Sequence, residues 1–356
     1  MAHNHTNYQA RLDFIQRLLY EHFNLETDAK IEPISYDPEC PFKYNNFVYR
    51  VTLPIATTSS HTAQDEALQP GCVRIPDGIT QFIMCLTNPD AEGMSPKTRV
   101  ENEVALISLA AQVLNHFQPP VVPSVYAWGS AATKSSQGWI IQQLMPGEPV
   151  ESSYENMNVQ QKKGILSQMA RLLKGLQDFQ LPETITGFGG VTFDKKGRIV
   201  ITTNLLFDPS TQRITGLIDY DFGCILHPSY EFLRSLGDAG GQFRGWSSDE
   251  ASEEEQLRKA KLYGFPSPLP ATTKDGKVDW EVAKAWETEI EKLNVKRPAT
   301  IRGIDKVADV DTILRTILPW RVSNSDILRM QSEKVIMKCR DENETQLVQL
   351  LERLGF

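Results

Sequence analysis

Three acidic or amide side chains are spaced so that they can converge: Asn204, Asp219 and Asp221, carried on the run NLLFDPSTQRITGLIDYDFG. The run parses as two short apolar segments about a turn. Leu205, Leu206 and Phe207 form the first strand. Asp208-Pro209-Ser210-Thr211 supplies turn residues, and Ile214 to Ile218 forms the second strand. A tight hairpin brings its open ends together, so one carboxamide oxygen and one or two carboxylates face a common point. Such an all-oxygen set suits Mg²⁺, with coordination positions left for phosphate oxygens. The same pattern also describes an ordinary hairpin with polar ends.

NLLFDP followed by RITGLIDYDF resembles the metal-binding half of the aminoglycoside phosphotransferase family, a branch of the kinase-like fold. The chain looks like a fungal-type member with an incomplete catalytic loop. The resemblance implies an α+β, two-lobed fold with a small β-rich N-terminal lobe and a mainly helical, apparently shortened C-terminal lobe. It also implies ATP and Mg²⁺ as cofactors, with Asn204 and Asp219 as the metal ligands. Asp221-Phe222-Gly223 spells the protein-kinase triplet two residues later. Residues two apart in a strand share a face, which makes Asp221 a second or substitute ligand. Asp219 is the preferred one.

The family's catalytic loop also carries a His and a catalytic Asp a few residues before the Asn. This chain reads GRIVITTNLL there, with no His nearer upstream than His116 and no acid nearer than Asp194. The residue that would accept the substrate's proton is therefore missing, and the catalytic assignment stays open. Asp221 and His227 are the weak candidates left, and the position of His227 after the metal strand favours a cap or packing role over that of base. Ile199-Val200 runs almost directly into Thr202-Thr203-Asn204, where the family has a further block of helices. That reads as an excision, either natural or made by a faulty reading of the gene's exons.

The elements that must position these groups follow from patterning. Residues 8–23 carry Leu12, Ile15, Leu19 and Phe23 at helical spacing. PFKYNNFVYRVTLP reads as a turn followed by a strand, with Phe47, Tyr49 and Val51 alternating. By the resemblance this is the hairpin that covers the nucleotide phosphates, with Asn46 at its turn. TQFIMCL, residues 80–86, is the next strand. Cys85 stands there where the family has the Lys or Arg that grips the phosphates. A thiol supplies no such charge, and packing in the core is its alternative role.

Ser95-Pro96 is expected to open a helix whose buried stripe is Val100, Val104, Ile107, Ala111 and Leu114, ending at Pro119-Pro120. On it, Glu103 is the residue expected to face the third strand, with a solvated surface position as its alternative. Two further strands flank the loop at 129–137, and the chain then enters Leu144-Met145-Pro146-Gly147. By the resemblance this is the hinge, where backbone groups near Gln143 and Met145 pair with adenine. The expected lobes are 1–145, binding nucleotide, and 146–356, holding the metal hairpin and the acceptor pocket.

Beyond it the sequence predicts a helix over about 158–180 with Ile165, Met169, Leu172, Leu176 and Phe179 inward. Gly187–Gly190 reads as a tight turn before a hairpin, and a short helix follows His227. A solvated helix start is expected at 247–256. Three later helices are marked by Trp280, Ala283, Trp286 and Ile290, then by Ile313, Leu314 and Ile317, and last by Leu347, Leu350, Leu351 and Leu354. The Trp residues line an acceptor pocket or are simply buried.

The bulk properties fit this reading. The net charge of −8 over 356 residues argues against a phosphate-tracking nucleic-acid surface. Five cysteines without a CxxC pair argue against a zinc site or a disulfide framework and for a reducing, cytoplasmic location. The polar start MAHNHTNYQA predicts no signal peptide, and no apolar run reaches a membrane-spanning length. The expected partner is a small-molecule acceptor, with no nucleic acid and no membrane. Self-association through apolar surface at the shortened lobe is also expected.

Overall fold

The structure is a computed structural model. It describes residues 3–23, 29–37, 39–57, 68–91, 98–131, 137–183, 205–208, 213–217, 226–234, 237, 240–271, 278–317 and 319–356. The chain divides into two compact units. One comprises Met1–Ser153 and Phe179–Ile225; the other comprises Tyr154–Asp178 and Leu226–Phe356.

The first unit is built on one antiparallel sheet in the order β1-β2-β3-β5-β4. Its strands are β1 (Lys30–Pro33), β2 (Asn46–Thr52), β3 (Gln81–Thr87), β4 (Val125–Gly129) and β5 (Trp139–Gln143). Helix α1 (Tyr8–Phe23) precedes the sheet, and α2 (Arg99–Val113) connects β3 to β4. Alternation along β2 sends Phe47, Tyr49 and Val51 to one face. There they join Phe82, Met84, Leu86 and Ile141 under Ile15, Leu18 and Leu19 of α1 in one core cluster. The other face carries Asn46 opposite Thr87 and Val48 opposite Cys85. A smaller sheet in the order β6-β7-β8 completes the unit, from β6 (Glu148–Pro149), β7 (Leu205–Asp208) and β8 (Arg213–Leu217).

α2 begins at Arg99 with Thr98 as N-cap, later than the Ser95-Pro96 start expected from sequence. Its inward stripe also differs at one position, since Ala111 is exposed and Ala110 is buried. The reason is that α2 is covered on most of its circumference, with Val100, Val104, Ala105, Leu106, Ile107, Leu109 and Ala110 all buried. A helix buried on most sides carries no clean one-faced pattern to read. It ends at Leu114, whose N–H bonds the Ala110 carbonyl, ahead of Pro119-Pro120.

The second unit is helical. Its elements are α4 (Val159–Asp178), α5 (Ser229–Arg234), α6 (Glu253–Tyr263), α7 (Trp280–Lys292), α8 (Ile304–Ile317), α9 (Trp320–Ser323), α10 (Ser325–Met330) and α11 (Glu333–Leu354). A four-residue helix, α3 (Glu151–Tyr154), falls at the junction of the two units along the chain. The core packs Leu166, Ala170 and Leu173 of α4 against Val282, Trp286 and Ile290 of α7, with Phe232, Phe243, Ile304 and Ala308. α4 turns Ile165, Leu166, Ala170, Leu172 and Leu173 fully inward, while Met169, Leu176 and Phe179 are half-buried.

The 247–256 segment holds the start of α6 and is largely exposed, as its composition predicts, with Glu255 as the exception. Ser252 caps α6 by accepting the Glu255 N–H, but the Glu255 side chain is buried at 2% exposure. Its Oε1 lies 3.3 Å from Arg258, and its Oε2 accepts the Ser247 N–H. A carboxylate tolerates such burial because a guanidinium and backbone donors replace its water. The whole arrangement is α+β, one unit sheet-based and the other mainly helical, as the resemblance to a kinase-like fold implies. Among the described residues no helix is long and apolar enough to cross a membrane.

Candidate functional site

The β7–β8 hairpin forms where the sequence places it, antiparallel, with Leu205 opposite Leu217 and Asp208 opposite Arg213. A register shift between Leu206 and Phe207 marks a bulge. The Leu205–Leu217 pair joins the open end of the hairpin, the end that leads to Asn204 on one strand and toward Asp219 on the other. Asn204, Asp219 and Asp221 themselves lie outside the described residues, as do the Gly187–Gly190 turn, the hairpin after it and the segment read as an excision. Among the described residues no group of three or more His, Cys, Asp or Glu side chains converges as a metal site.

The sheet residues assigned to nucleotide binding are brought to one region of the first unit. In the β2–β3 ladder Asn46 pairs with Thr87 and Val48 with Cys85. Directly opposed residues project to the same face, so Asn46, Cys85 and Thr87 lie on one side of the sheet, opposite α1. Cys85 is 8% exposed, paired also with Ile140 of β5, and its sulfur takes a weak contact from the Gln142 amide at 3.9 Å. Glu103 is buried, at 4% exposure. The surface alternative for Glu103 is thereby excluded, and a carboxylate stands inside the unit on the helix that connects β3 to β4. α2 approaches this side of the sheet: a side chain at Gly138 would meet Thr87 of β3 and Val100 of α2 at 2.7 and 3.0 Å.

Sequence reasoning passed over Arg99. It is only 3% exposed, in the first turn of α2, and its Nη2 donates to the Asn45 carbonyl and to Asn46 Oδ1, each at 2.9 Å. The only sequence signal for it is its position four residues before Glu103, which puts the two on one helix face. The turn it grips is fixed from other sides as well. Asn88 donates its backbone N–H to the Asn45 carbonyl at 2.8 Å and its side-chain amide to the Tyr44 carbonyl at 2.7 Å. Asn4, buried at 1%, accepts the Tyr44 N–H and donates to the Phe42 carbonyl. Arg11 then holds the Asn4 and Thr6 carbonyls while lying 3.7 Å above the Phe47 ring. The segment leading into β2 is thus braced by the N-terminus, by β3 and by α2.

At the hinge, the Gln143 N–H donates to the Ser124 carbonyl at 2.8 Å, and its side-chain oxygen accepts the Ser124 N–H. That N–H is therefore committed to the sheet and is not offered to a ligand. Met145 is buried at 6%. In the second unit, His227 is exposed beside the start of α5, its Nδ1 3.0 Å from the Ser229 hydroxyl and accepting the Ser229 N–H at 3.3 Å. The Tyr230 N–H bonds the His227 carbonyl at 2.9 Å. This is the geometry of a cap. Trp280 and Trp286 of α7 are buried at 1% and 2%, in the core of the second unit.

No family model matches the chain, and no curated protein does. Solved structures it is similar to include aminoglycoside phosphotransferases. A thermostable mutant of APH(4)-Ia in ternary complex with ADP and hygromycin B has 9% identity and a TM-score of 0.44, over 96% of this chain and 99% of that chain. ADP-bound APH(2″)-Ib has 9% identity and a TM-score of 0.45, over 95% and 98%. The streptomycin–ATP complex of APH(2″)-IIa has 9% identity and a TM-score of 0.45, over 95% and 97%.

Proposed function

We propose that the chain is an aminoglycoside phosphotransferase-like protein that binds Mg-ATP, with weak or absent transfer to a hydroxyl of a small molecule. The observation that carries this is the placement of Asn46 and Cys85 on one face of the sheet, with Glu103 buried on α2, the helix whose Arg99 bonds Asn46. Asn46, Cys85 and Glu103 are the set the sequence resemblance assigns to the phosphate side of a nucleotide site. In this reading Asn204 and Asp219 hold Mg²⁺ at the open end of the β7–β8 hairpin, and the metal neutralises phosphate charge. Gln143 contributes its carbonyl rather than its N–H at the adenine edge, and Met145 packs against the base. The lobe boundary is placed at Met145-Pro146, and the acceptor is placed against the C-terminal helices. Cytoplasmic location, a small-molecule partner, the absence of nucleic-acid or membrane partners, and self-association belong to the same proposal.

One sequence observation favours a pseudokinase or a truncated product over an active enzyme. No carboxylate lies between Asp194 and Asn204 to orient an acceptor hydroxyl. The test is calorimetric titration of Mg-ATP into the full chain. Binding with a Kd on the order of 1 mM, about −4 kcal/mol, is expected from a site with two oxygen ligands and no strand cation. Asp219→Ala abolishes that binding, and Asp221→Ala weakens it less. Absence of heat and of any Mg²⁺ dependence at millimolar nucleotide overturns the reading.

A further inference from the structure

A phosphate site needs a cation, and Cys85 supplies none at the position the resemblance gives it. Two buried charged groups stand on α2, the helix that connects β3 to β4. Arg99 and Glu103 are four residues apart on this helix, at 3% and 4% exposure, and share a face. The guanidinium is located by its bonds rather than by its sequence position. Its Nη2 is 2.9 Å from Asn46 Oδ1, and Asn46 sits one ladder step from the Val48–Cys85 pair, on the same sheet face. Diagonal neighbours on a sheet face are roughly 7 to 8 Å apart, well within the reach of an Arg side chain. A guanidinium keeps its charge at any working pH and presents a rigid fork suited to phosphate oxygens. The same group also bonds the turn that leads into β2, so binding there is coupled to the segment read as covering the phosphates.

We infer that Arg99, from the first turn of α2, supplies the fixed positive charge for nucleotide phosphates that β3 lacks at Cys85. The inference rests on the nucleotide-binding reading above and goes beyond it by naming a phosphate-binding residue. In the family pattern the cation comes from the strand and the acid from the helix. Here both come from the helix, and the strand position is left to pack.

The experiment compares Mg-ATP with adenosine, which shares the base and sugar but has no phosphates, on the full chain and on Arg99→Met and Arg99→Lys. The readout is the ratio of the two affinities. A charge-assisted hydrogen bond contributes about 1.5–3 kcal/mol, so the ratio is expected to fall roughly 10- to 100-fold in Arg99→Met, with adenosine affinity retained. Arg99→Lys, which keeps the charge and loses the fork, is expected to fall less. An unchanged ratio in whichever variant keeps a cooperative melt overturns the inference, and so does an equal loss of ATP and adenosine. A wild-type chain that binds adenosine no more weakly than Mg-ATP also overturns it while leaving a nucleoside site standing. A wild-type chain that binds neither, with no response to Asp219→Ala, overturns the nucleotide reading itself.

Discussion

Lys261 is an amine in a place that suits a neutral side chain. It is 4% exposed on α6, with its Nζ donating to the Gly241 carbonyl. Burial pulls its pKa down to about 8, partly offset by attraction to Glu287 of α7. Glu287 is pushed up by burial and held back by Arg297, whose Nε lies 2.7 Å away and which also pairs with Glu291. A lysine whose folded pKa lies below its unfolded value of 10.5 binds fewer protons folded than unfolded between those pH values. Stability therefore rises with pH across that window, and the gain is absent below about pH 8. The span corresponds to about 3 kcal/mol at its upper limit.

The expected outcome is that wild type gains on Lys261→Met between pH 8 and 10.5, measured by urea unfolding at matched ionic strength. Comparing the two proteins cancels the opposite contribution of Cys72, a thiol that burial raises to about 12 and that loses stability over part of the same range. A pH-independent difference between wild type and variant sinks the assignment. Cys72 gives a separate test. At pH 8 the native thiol should resist iodoacetamide while unfolded chain reacts, because only the thiolate is nucleophilic. Native-state alkylation at the rate of a free thiol contradicts the raised pKa.

At the scale of elements, the segment 240–247 shows how the helices of the second unit are held. Gly240, at φ +105, passes so close to α7 that a Cβ there would sit 2.7 Å from Ala283 Cα. Gly245 lies against α8, where a Cβ would meet Thr312 Oγ1 at 2.5 Å and the Ala308 carbonyl oxygen at 2.7 Å. One step further on, the Trp246 N–H donates to Asp309 Oδ1 at 2.7 Å. Asp309, at 4% exposure, also faces Arg258 of α6 at 3.9 Å and Arg353 of α11 at 3.7 Å. One carboxylate therefore ties α6, α8, α11 and the loop. Asp309→Ala should cost about 1–3 kcal/mol, because it leaves the Trp246 N–H without its acceptor while Arg258 keeps Glu255 as a counter-charge. Asp309→Asn keeps an acceptor for Trp246 and should cost less. Gly245→Ala should cost about 1–3 kcal/mol through forced displacement of the loop from α8. Chemical denaturation ranks the three, and an Asp309→Ala loss under 1 kcal/mol would show the network to be dispensable.

None of these ties is legible in the sequence, whereas the elements they join largely are. α1 and α7 have one wet face and one dry face, so Ile15 and Leu19, or Ala283, Trp286 and Ile290, declare themselves by spacing alone. The β7–β8 hairpin declares itself by turn residues between apolar runs. α2 hides its orientation because it is covered on most sides. Glu255, Asp309 and Arg99 hide theirs because a charged residue is ordinarily a surface residue. What buries them is a partner far along the chain, and no local pattern encodes it. The same holds for the candidate site. Cys85 and Glu103 were found by position in a resembled pattern, while Arg99 has no place in that pattern and emerges only from its bonds to Asn45 and Asn46.

At the scale of the whole molecule, transfer needs a bound phosphoryl donor, an acceptor and a group that orients the acceptor hydroxyl. Phosphoryl transfer on this kind of scaffold relies on positioning and on charge stabilisation, so losing one part does not abolish binding of the others. Asn46, Glu103 and Arg99 are all within the sheet unit, as is the β7–β8 hairpin. Nucleotide binding in this reading therefore survives a defect in the acceptor helices. Turnover does not survive the missing carboxylate before Asn204, because a positioned acid or base contributes about 10² to 10⁴ in rate. The expected outcome is no acceptor-dependent ADP release under Mg-ATP with aminoglycosides, choline-like alcohols or sugars. Cys85→Arg alone should not restore release, since it adds a cation beside a site that still has no base. Restoring a full catalytic-loop segment before Asn204 is the change expected to do so, with Arg99 supplying the phosphate cation in this reading. Acceptor-dependent release from the unmodified chain, abolished by Asp219→Ala, would show that another residue acts as base. Asp221→Asn and His227→Ala would then be compared. The hydrogen bond that His227 Nδ1 accepts from the Ser229 N–H predicts that His227→Ala lowers the stability of α5 and leaves the rate unchanged.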